Sequence, residues 1–233
     1  MSNSALKLMT LHTFVANKAI NILLLFAFFT SLASAEANLP TTIKELRYEL
    51  DVVLFDLPKE GDHRLNRLEE LSAHSDVLAI KHQDDAAFQL MAGLFNAQYA
   101  GHKGGIGALK YAKASRKHLE KSIKLDPSIY GASAHIVLGA LYAQVPGWPV
   151  GFGNKKKAVK NYQTALQLSP DGIDSNFSYA MYLFSQKQYA NARTYLEKAA
   201  LAPPRPDRPK ADEDLKKQIT KGLEEINKRL SDG

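Results

Sequence analysis

The stretch "YANARTYLEKAALAPP" (Tyr189–Pro204) places a small, a large and a small residue and then a proline at offsets of 0, 4, 7 and 12 from Ala192. The same spacing occurs earlier in "KAVKNYQTALQLSP" (Lys157–Pro170) and in "ASRKHLEKSIKLDP" (Ala114–Pro127). Offsets 0, 4 and 7 lie on one face of an α-helix, and proline ends a helix because it lacks the amide proton. The pattern predicts three helices whose small residues let a neighbouring helix approach closely.

Each of these helices is preceded by a second helical stretch with a glycine or alanine near its centre. The stretches read "AFQLMAGLFNAQY", "SAHIVLGALYAQ" and "SNFSYAMYLFSQKQY". Together the helix pairs resemble the tetratricopeptide repeat (TPR) family, whose units are helix–turn–helix pairs of about 34 residues. The resemblance implies an all-α, TPR-like solenoid over residues 84–204, with three units at 84–127, 129–170 and 173–204.

The segments that flank the repeats are also predicted to be helical. Residues 41–80 read as two amphipathic helices, separated by "PKEG", that form an N-terminal helical pair. Residues 205–233 hold a stiff proline-rich connector and then a helix with a single apolar stripe. We expect this last helix to cap the open end of the solenoid. The same amphipathic pattern leaves open a helix that seeks a membrane or a partner.

Two insertions enlarge the turns between the paired helices of the first two units. They span residues 100–111, with "GGIG", and residues 144–154, with "PGWPVGFGN" and the single tryptophan of the chain. Such turns project from one edge of a solenoid, so we expect two neighbouring loops there. Prolines and glycines restrict the second loop, which makes Trp148 and Phe152 candidate binding anchors. The alternative is that both rings fold back and pack on the helices.

Further candidate binding residues lie on the first helices, which line the concave side of such a stack. Phe177, Met181 and Phe184 recur at helical spacing in the third unit. They indicate either a groove for a peptide or another apolar ligand, or packing against the C-terminal helix. His135 and Asn176 occupy matching places near the starts of two adjacent first helices. They are candidates for polar contacts to a ligand or for bonds to the local backbone.

The first 35 residues predict a secretory signal peptide with cleavage after Ala35. The only charged residues before Glu36 are two lysines, and "INILLLFAFFTSL" supplies an apolar core that is followed by Ala33-Ser34-Ala35. This core is shorter than the ~20 residues of a membrane-spanning helix, which favours cleavage over an uncleaved anchor. The sequence therefore predicts a periplasmic or secreted protein without a stable membrane anchor.

The composition gives no indication of catalysis. The chain has no cysteine, and its seven histidines show no paired metal-ligand spacing. No nucleophile elbow, phosphate-binding loop or metalloprotease helix is present in the sequence. A net charge of +6 is modest and dispersed, which argues against a nucleic-acid partner. We expect a protein that is not an enzyme and has no cofactor and no metal site.

Three stretches suggest a more specific relationship. "VPGWPVGFG", "LSPDGID" and "APPRPDRP" are similar to a group of exported repeat proteins related to the T component of TRAP-type transporters. That resemblance implies a periplasmic protein that works beside a substrate-binding subunit and assembles as an oligomer. Proteins of that group are typically lipid-anchored through a cysteine, which this chain lacks.

Taken with the repeats, these features predict a non-catalytic periplasmic scaffold or adaptor that binds a protein or peptide partner, with a transporter component as one candidate. The alternative is capture of a small ligand as an accessory to a TRAP-type solute uptake system. A broad exposed groove would favour a protein partner, whereas a closed cavity of ~300–1,000 Å³ would favour a small ligand.

Overall fold

A computed structural model of the chain describes residues 39–58 and 61–231. The chain divides into two units, Met1–Pro40 and Thr41–Gly233. The predicted signal peptide and its cleavage site lie outside the described residues. The described part of the second unit is all-helical, with these elements: α1 (Ile43–Asp51), a π-helical segment (Val52–Asp56), α2 (His63–Lys81), α3 (Ala86–Lys103), a 3₁₀ turn (Ile106–Ala108), α4 (Leu109–Leu125), α5 (Ile129–Gln144), α6 (Lys155–Leu168), α7 (Ile173–Ser185), α8 (Tyr189–Ala200) and α9 (Pro209–Ser231).

Three helix pairs, α3–α4, α5–α6 and α7–α8, form the repeating part of the molecule. The first helix of each pair also contacts the first helix of the next, and each second helix contacts the first helix that follows it. This TPR-like arrangement of adjacent packed helices confirms the predicted fold class. The periodicity identified it because helices that alternate small and large residues on one face can pack only against matching neighbours.

The small–large spacing works through direct contact between the paired helices. A Cβ atom on Gly93 of α3 would lie 2.6 Å from the side chain of Leu119 on α4, so only glycine allows this approach. Gly139 stands in the same relation to Tyr162 in the second pair, at 2.9 Å. Both large side chains are buried, and burial raises the pKa of the Tyr162 phenol. The glycines thus set how closely the two helices of a unit pack.

Serines replace the small alanines of α4 without leaving polar groups unsatisfied. The Ser115 hydroxyl donates to the Gly93 carbonyl at 2.7 Å, and the Ser122 hydroxyl donates to the Ala86 carbonyl at 2.9 Å. Both serines are buried, so each hydrogen bond offsets the cost of burying a hydroxyl group. These bonds tie the second helix of the first unit to its partner helix.

The C-terminal helix caps the stack, as the sequence predicts. Its apolar stripe packs on α8 and α7, with Ile219 and Ile226 fully buried and Leu215 and Leu223 half-buried around them. At the other end, α2 packs on α3. None of the helices in residues 39–58 and 61–231 is long and apolar enough to cross a membrane.

A feature that the sequence did not predict is direct contact between the two flanks. Three ion pairs join the α1 region to the connector and the start of α9: Arg47–Asp207 at 2.6 Å, Asp51–Arg208 at 2.7 Å, and Asp56–Lys210 at 2.6 Å. We call this set the flank clasp. The Arg47 guanidinium also lies 4.4 Å from the ring centroid of Tyr130, in a left-handed turn at the start of α5.

Candidate binding surface at the loop edge

The connections inside the first two units form one edge of the stack, which we call the loop edge: residues 104–108 and residues 145–154. The second connection is the loop that the insertion predicted. The first is shorter than expected, because α3 continues to Lys103 and α4 begins at Leu109. Most of the inserted residues 100–111 therefore lengthen the two helices, and only the glycine-rich turn around Ile106 leaves them.

An apolar cleft of about 460 Å³ lies between these two connections. Its lining is apolar or glycine except for Gln144. The floor includes Ala97 and Ala100 of α3 and Leu141 of α5, whereas Ile106 and Val150 come from the two connections. The loops that the sequence placed at one edge thus meet across a recess of apolar side chains.

Large apolar side chains are exposed to solvent beside this cleft. Ile106 is 94% exposed, Trp148 is 90% exposed and Val150 is 64% exposed. Single exposed apolar residues are ordinary on a protein surface, but Ile106 and Val150 both line this apolar recess, and Trp148 precedes Val150 by two residues in the same loop. Such a grouping marks an interaction site. Sequence reasoning selected Trp148 and missed Ile106 and Val150. The signal for Ile106 was its place as the one large apolar residue in "GHKGGIGA".

Backbone hydrogen bonds hold the 145–154 loop in a tight shape. The Gly151 amide donates to the Gly147 carbonyl at 3.0 Å, and the Gly153 amide donates to the Pro146 carbonyl at 2.9 Å. A Cβ atom on Gly153 would lie only 1.8 Å from the Val145 carbonyl oxygen, so no other residue fits there. The backbone hydrogen bonds within the loop therefore determine its conformation, and in this conformation Trp148 is exposed.

The two aromatic candidates in this loop have opposite environments. Phe152 is half-buried, with its ring edge-on to Tyr142 at 5.7 Å and under the Arg116 guanidinium at 4.4 Å. The Tyr142 hydroxyl donates to Glu120 at 3.3 Å, and burial together with that carboxylate raises the pKa of Tyr142. Phe152 thus fastens the loop to α4 and α5, whereas Trp148 has no such packing.

The helices that carry the loop edge are strongly basic. Residues 86–170 contain eleven lysines and arginines but only two acidic residues, Glu120 and Asp126. The positive charge is therefore concentrated in these helices, and the expectation of a dispersed charge is wrong. Lys155 and Lys156 are exposed in the first turn of α6, where the partial positive charge of the helix end makes a cation unfavourable. Lys103 and Lys110 are exposed on either side of the glycine-rich turn. In the first turn of α6 this charge is not placed for helix stability, whereas Lys103 lies in the last turn of α3, where a cation is favourable.

The polar candidates on the first helices are both engaged within the protein. His135 is half-buried, with Nδ1 3.0 Å from Asn161 Oδ1 on α6. Asn161 Nδ2 donates to the Lys157 carbonyl at 2.9 Å, so the His135 Nδ1–H is the donor to Asn161. Asn176 is completely buried and donates to the carbonyls of Pro170 and Gly172. Its amide closes the turn before α7 and is not available to a partner.

The apolar candidates of the third unit do not form a continuous exposed groove. Phe177 and Phe184 are half-buried against the cluster that α7, α8 and α9 share, and the Phe184 ring lies tilted against that of Tyr189, with 5.4 Å between the ring centroids. Met181 is 39% exposed and faces outward. The two phenylalanines thus pack within a cluster to which the C-terminal helix contributes Ile219 and Ile226.

The first-helix side of the stack is largely covered by the flanks. Leu46 and Leu50 of α1 are buried, α1 contacts α3, and a cavity of about 230 Å³ remains between them. A larger groove of about 970 Å³ lies between the π-helical segment and α9. Its lining is mostly charged and includes the Lys210–Asp56 and Lys217–Glu213 pairs. Within the described residues no cluster of three or more His, Cys, Asp or Glu side chains could hold a metal ion.

Comparison with known families detects one repeat. A tetratricopeptide repeat model matches residues 173–205, which is the predicted third unit extended by one residue. A comparison with curated proteins gives no significant match. The chain is thus an all-α helical-repeat protein that contains a TPR unit, and TPR units commonly mediate protein–protein interaction.

Proposed function

We propose that this protein is a non-catalytic scaffold that binds a protein or peptide partner through the loop edge. The observation that carries the proposal is the apolar cleft of about 460 Å³, with Ile106 and Val150 exposed in its lining and Trp148 exposed in the same loop as Val150. Interface hot spots are enriched in aromatic side chains that a rigid scaffold presents. The TPR unit supports a protein partner, since protein binding is what such repeats commonly do.

The first-helix side is less suited to a partner. TPR-like stacks usually offer their first helices as a concave surface, but here α1 and the connector already cover part of it. The flank clasp holds this cover in place through ion pairs. A partner would have to displace α1 to reach α3, whereas the loop edge is accessible as it stands.

We also propose a periplasmic location, on the basis of the basic residues, apolar core and small-x-small site of residues 1–35. The measurement is the mass of the protein recovered from the periplasmic fraction. A polypeptide that begins at Glu36 is the expected result. A full-length chain in the cytoplasmic fraction would remove this part of the proposal.

A second candidate function is small-ligand capture as an accessory to a TRAP-type uptake system. The groove of about 970 Å³ beside α9 favours it, because its volume is within the range of ligand pockets. Arg64 lines this groove and is buried, and its guanidinium donates to the Leu57 carbonyl and forms no ion pair within the described residues. It is the candidate contact for an acidic group of a ligand, in a lining that also contains four carboxylates. Binding of small carboxylic acids that Arg64→Gln abolishes, with no effect of Trp148→Ser, would favour this function over the scaffold.

Photo-crosslinking from defined positions tests the scaffold proposal. A photoreactive residue is placed at position 106 or 148, and, as the matched control, at position 201. Leu201 is 86% exposed and lies after α8, far along the chain from the loop edge. The expected result is one discrete adduct to a protein from positions 106 and 148 and none from position 201. Equal adducts from all three positions, or none, would contradict the proposal.

A further inference from the structure

We infer that the segment which occupies the loop edge is acidic, with at least one apolar side chain that enters the cleft. This inference rests on the proposed function and specifies the chemistry of the partner. It follows from two independent properties of the surface, the apolar recess and the uncompensated positive charge around it. Each property of the surface determines one feature of the segment that binds there.

The cleft selects an apolar side chain. Ala97, Ala100 and Leu141 form its recessed part, and Ile106 and Val150 form its sides. A recess of about 460 Å³ lined by such groups binds an inserted aliphatic or aromatic group, because burial removes apolar surface from water on both partners. Trp148 does not line the cleft, but it is exposed two residues from Val150, and we expect a bound segment to extend onto its ring.

The charge selects an acidic segment. None of the ion pairs within the described residues involves Lys103, Lys110, Lys155 or Lys156. The Lys103 ammonium donates to the Tyr99 hydroxyl at 3.0 Å, and the Lys110 ammonium lies over the ring of Tyr111 at 4.5 Å. Neither the hydroxyl group nor the aromatic face neutralises the cation. The loop edge therefore keeps net positive charge for carboxylates that come from outside.

The first turn of α6 strengthens this argument. Lys155, Lys156 and Lys157 lie where a cation opposes the helix dipole, so they lower the stability of the free protein. A bound carboxylate would reverse this effect, because the helix end and the lysines both attract an anion. The arrangement thus costs stability without a partner and favours binding of an acidic one.

A peptide fits this surface better than a lipid bilayer does. A bilayer surface would contact the tips of Ile106 and Trp148, and anionic headgroups would attract the lysines. It would leave the recessed part of the cleft, around Ala100 and Leu141, unfilled. A peptide side chain fills the recess while neighbouring carboxylates reach the lysines, so a peptide satisfies both properties at once.

The test is selection from a random dodecapeptide display library on the immobilised full chain. Peptides that also bind the Ile106→Ser/Trp148→Ser variant are removed, and Leu201→Ser serves as the matched surface control. The expected result is an enriched set with net negative charge and an apolar residue. Binding of these peptides should fall by about tenfold or more in Lys155→Gln/Lys156→Gln, and it should weaken as salt rises.

The outcomes separate this inference from the proposed function. Enriched peptides that are neutral or basic but still need Ile106 and Trp148 would overturn the acidic partner and leave the scaffold proposal standing. Selection that yields no peptide dependent on these two residues would overturn both. Binding instead to phosphatidylglycerol–phosphatidylcholine vesicles, lost in Ile106→Ser/Trp148→Ser, would identify a lipid surface and also overturn both. Thermal melts of each variant verify that it is folded.

Discussion

The loop edge and the flank clasp use charge in opposite ways. In the clasp, Arg47, Arg208 and Lys210 each lie within 2.7 Å of a carboxylate oxygen from the other end of the described chain. Next to the loop edge, at the start of α6, Lys155 and Lys156 have no carboxylate partner among the described residues, and Trp148 and Val150 are exposed in the preceding loop. Each cation of the clasp is thus paired with a carboxylate of the same chain, whereas the two lysines next to the loop edge are not.

This difference separates residues that maintain the fold from residues that are free to recognise another molecule. Paired charges and buried apolar stripes contribute to folding stability, so their loss is measured as a lower free energy of unfolding. Exposed apolar groups and unpaired lysines contribute little to that free energy. Folding stability therefore does not explain why these groups lie together, whereas binding of a partner does.

The largest expected effect is a loss of stability caused by a substitution in the C-terminal helix α9. Ile226 of α9 is completely buried against α7 and α8, so Ile226→Ala should lower the free energy of unfolding by about 2–4 kcal/mol. Chemical denaturation measures this change. If the two regions are independent, peptide binding at the loop edge should survive in the folded fraction. A loss of peptide binding at temperatures where the variant remains folded would show that the C-terminal helix and the loop edge are not independent.

The next effect tests the packing role of Phe152. Its ring is half-buried between Tyr142 and Arg116, so Phe152→Ala should cost about 1–2 kcal/mol, less than a fully buried phenylalanine. Trp148→Ser, in the same loop, should change stability by about 0.5 kcal/mol or less. Urea melts of both variants provide the measurement. Equal losses of stability would mean that Trp148 also packs.

A smaller effect concerns the ion pairs of the flank clasp. Asp51→Asn should lower stability by about 1 kcal/mol or less, and the difference from wild type should shrink in high salt. The change is read from melts at low and high ionic strength. The isosteric variant Asp171→Asn, an exposed acid without an ion pair in the described residues, is the control and should have no effect.

The clasp also predicts a pH dependence. The hydrogen bond from Arg47 lowers the pKa of Asp207 in the folded state, so its contribution is present above about pH 4 and is lost as the pH falls through the lowered value. The hydrogen bond to Asp56 raises the pKa of Lys210, whose contribution is present below about pH 10 and is lost as the pH rises through the raised value. The difference in stability between wild type and Asp207→Asn should therefore vanish in strong acid. A difference that stays constant down to pH 2 would contradict this role.

The smallest expected effect has the opposite sign. Lys155→Gln/Lys156→Gln removes two cations from the first turn of α6, so stability should rise by a few tenths of a kcal/mol. The same variant should lose affinity for acidic peptides. Melting temperature and peptide titration are measured on one sample. A variant that is less stable than the wild type and binds peptides equally well would show that these lysines contribute to folding and not to binding.

The sequence predicted the helix pairs because their signal is local and periodic. Gly93 faces Leu119 and Gly139 faces Tyr162 at positions that the spacing already marked. The sequence could not predict that most residues of the first insertion extend α3 and α4. Several glycines near residue 104 could end a helix, and the packing of the folded chain determines which of them does. The ion pair between Arg47 and Asp207 has no local signature, since 160 residues separate the two side chains.

The candidate site was only partly visible in the sequence for the same reason. Tryptophan is rare, and the sequence therefore predicted Trp148 as a binding residue. Whether its side chain is exposed depends on the backbone hydrogen bonds within the loop, which have no signature in the sequence. Asn176 and Phe177 had the residue types of a binding surface, and the neighbours that bury them come from other helices and turns. The cleft needs two connections that lie about forty residues apart in the sequence, and only the folded stack brings them together.

Hydrogen–deuterium exchange of the full chain, with and without the tightest selected dodecapeptide, tests the central claim most directly. The account predicts slower exchange in residues 97–112 and 141–157, with no change in α1 or in residues 205–215. Slower exchange confined to α1 and residues 205–215, with the loop edge unaffected, would contradict the account and would assign binding to the flanks.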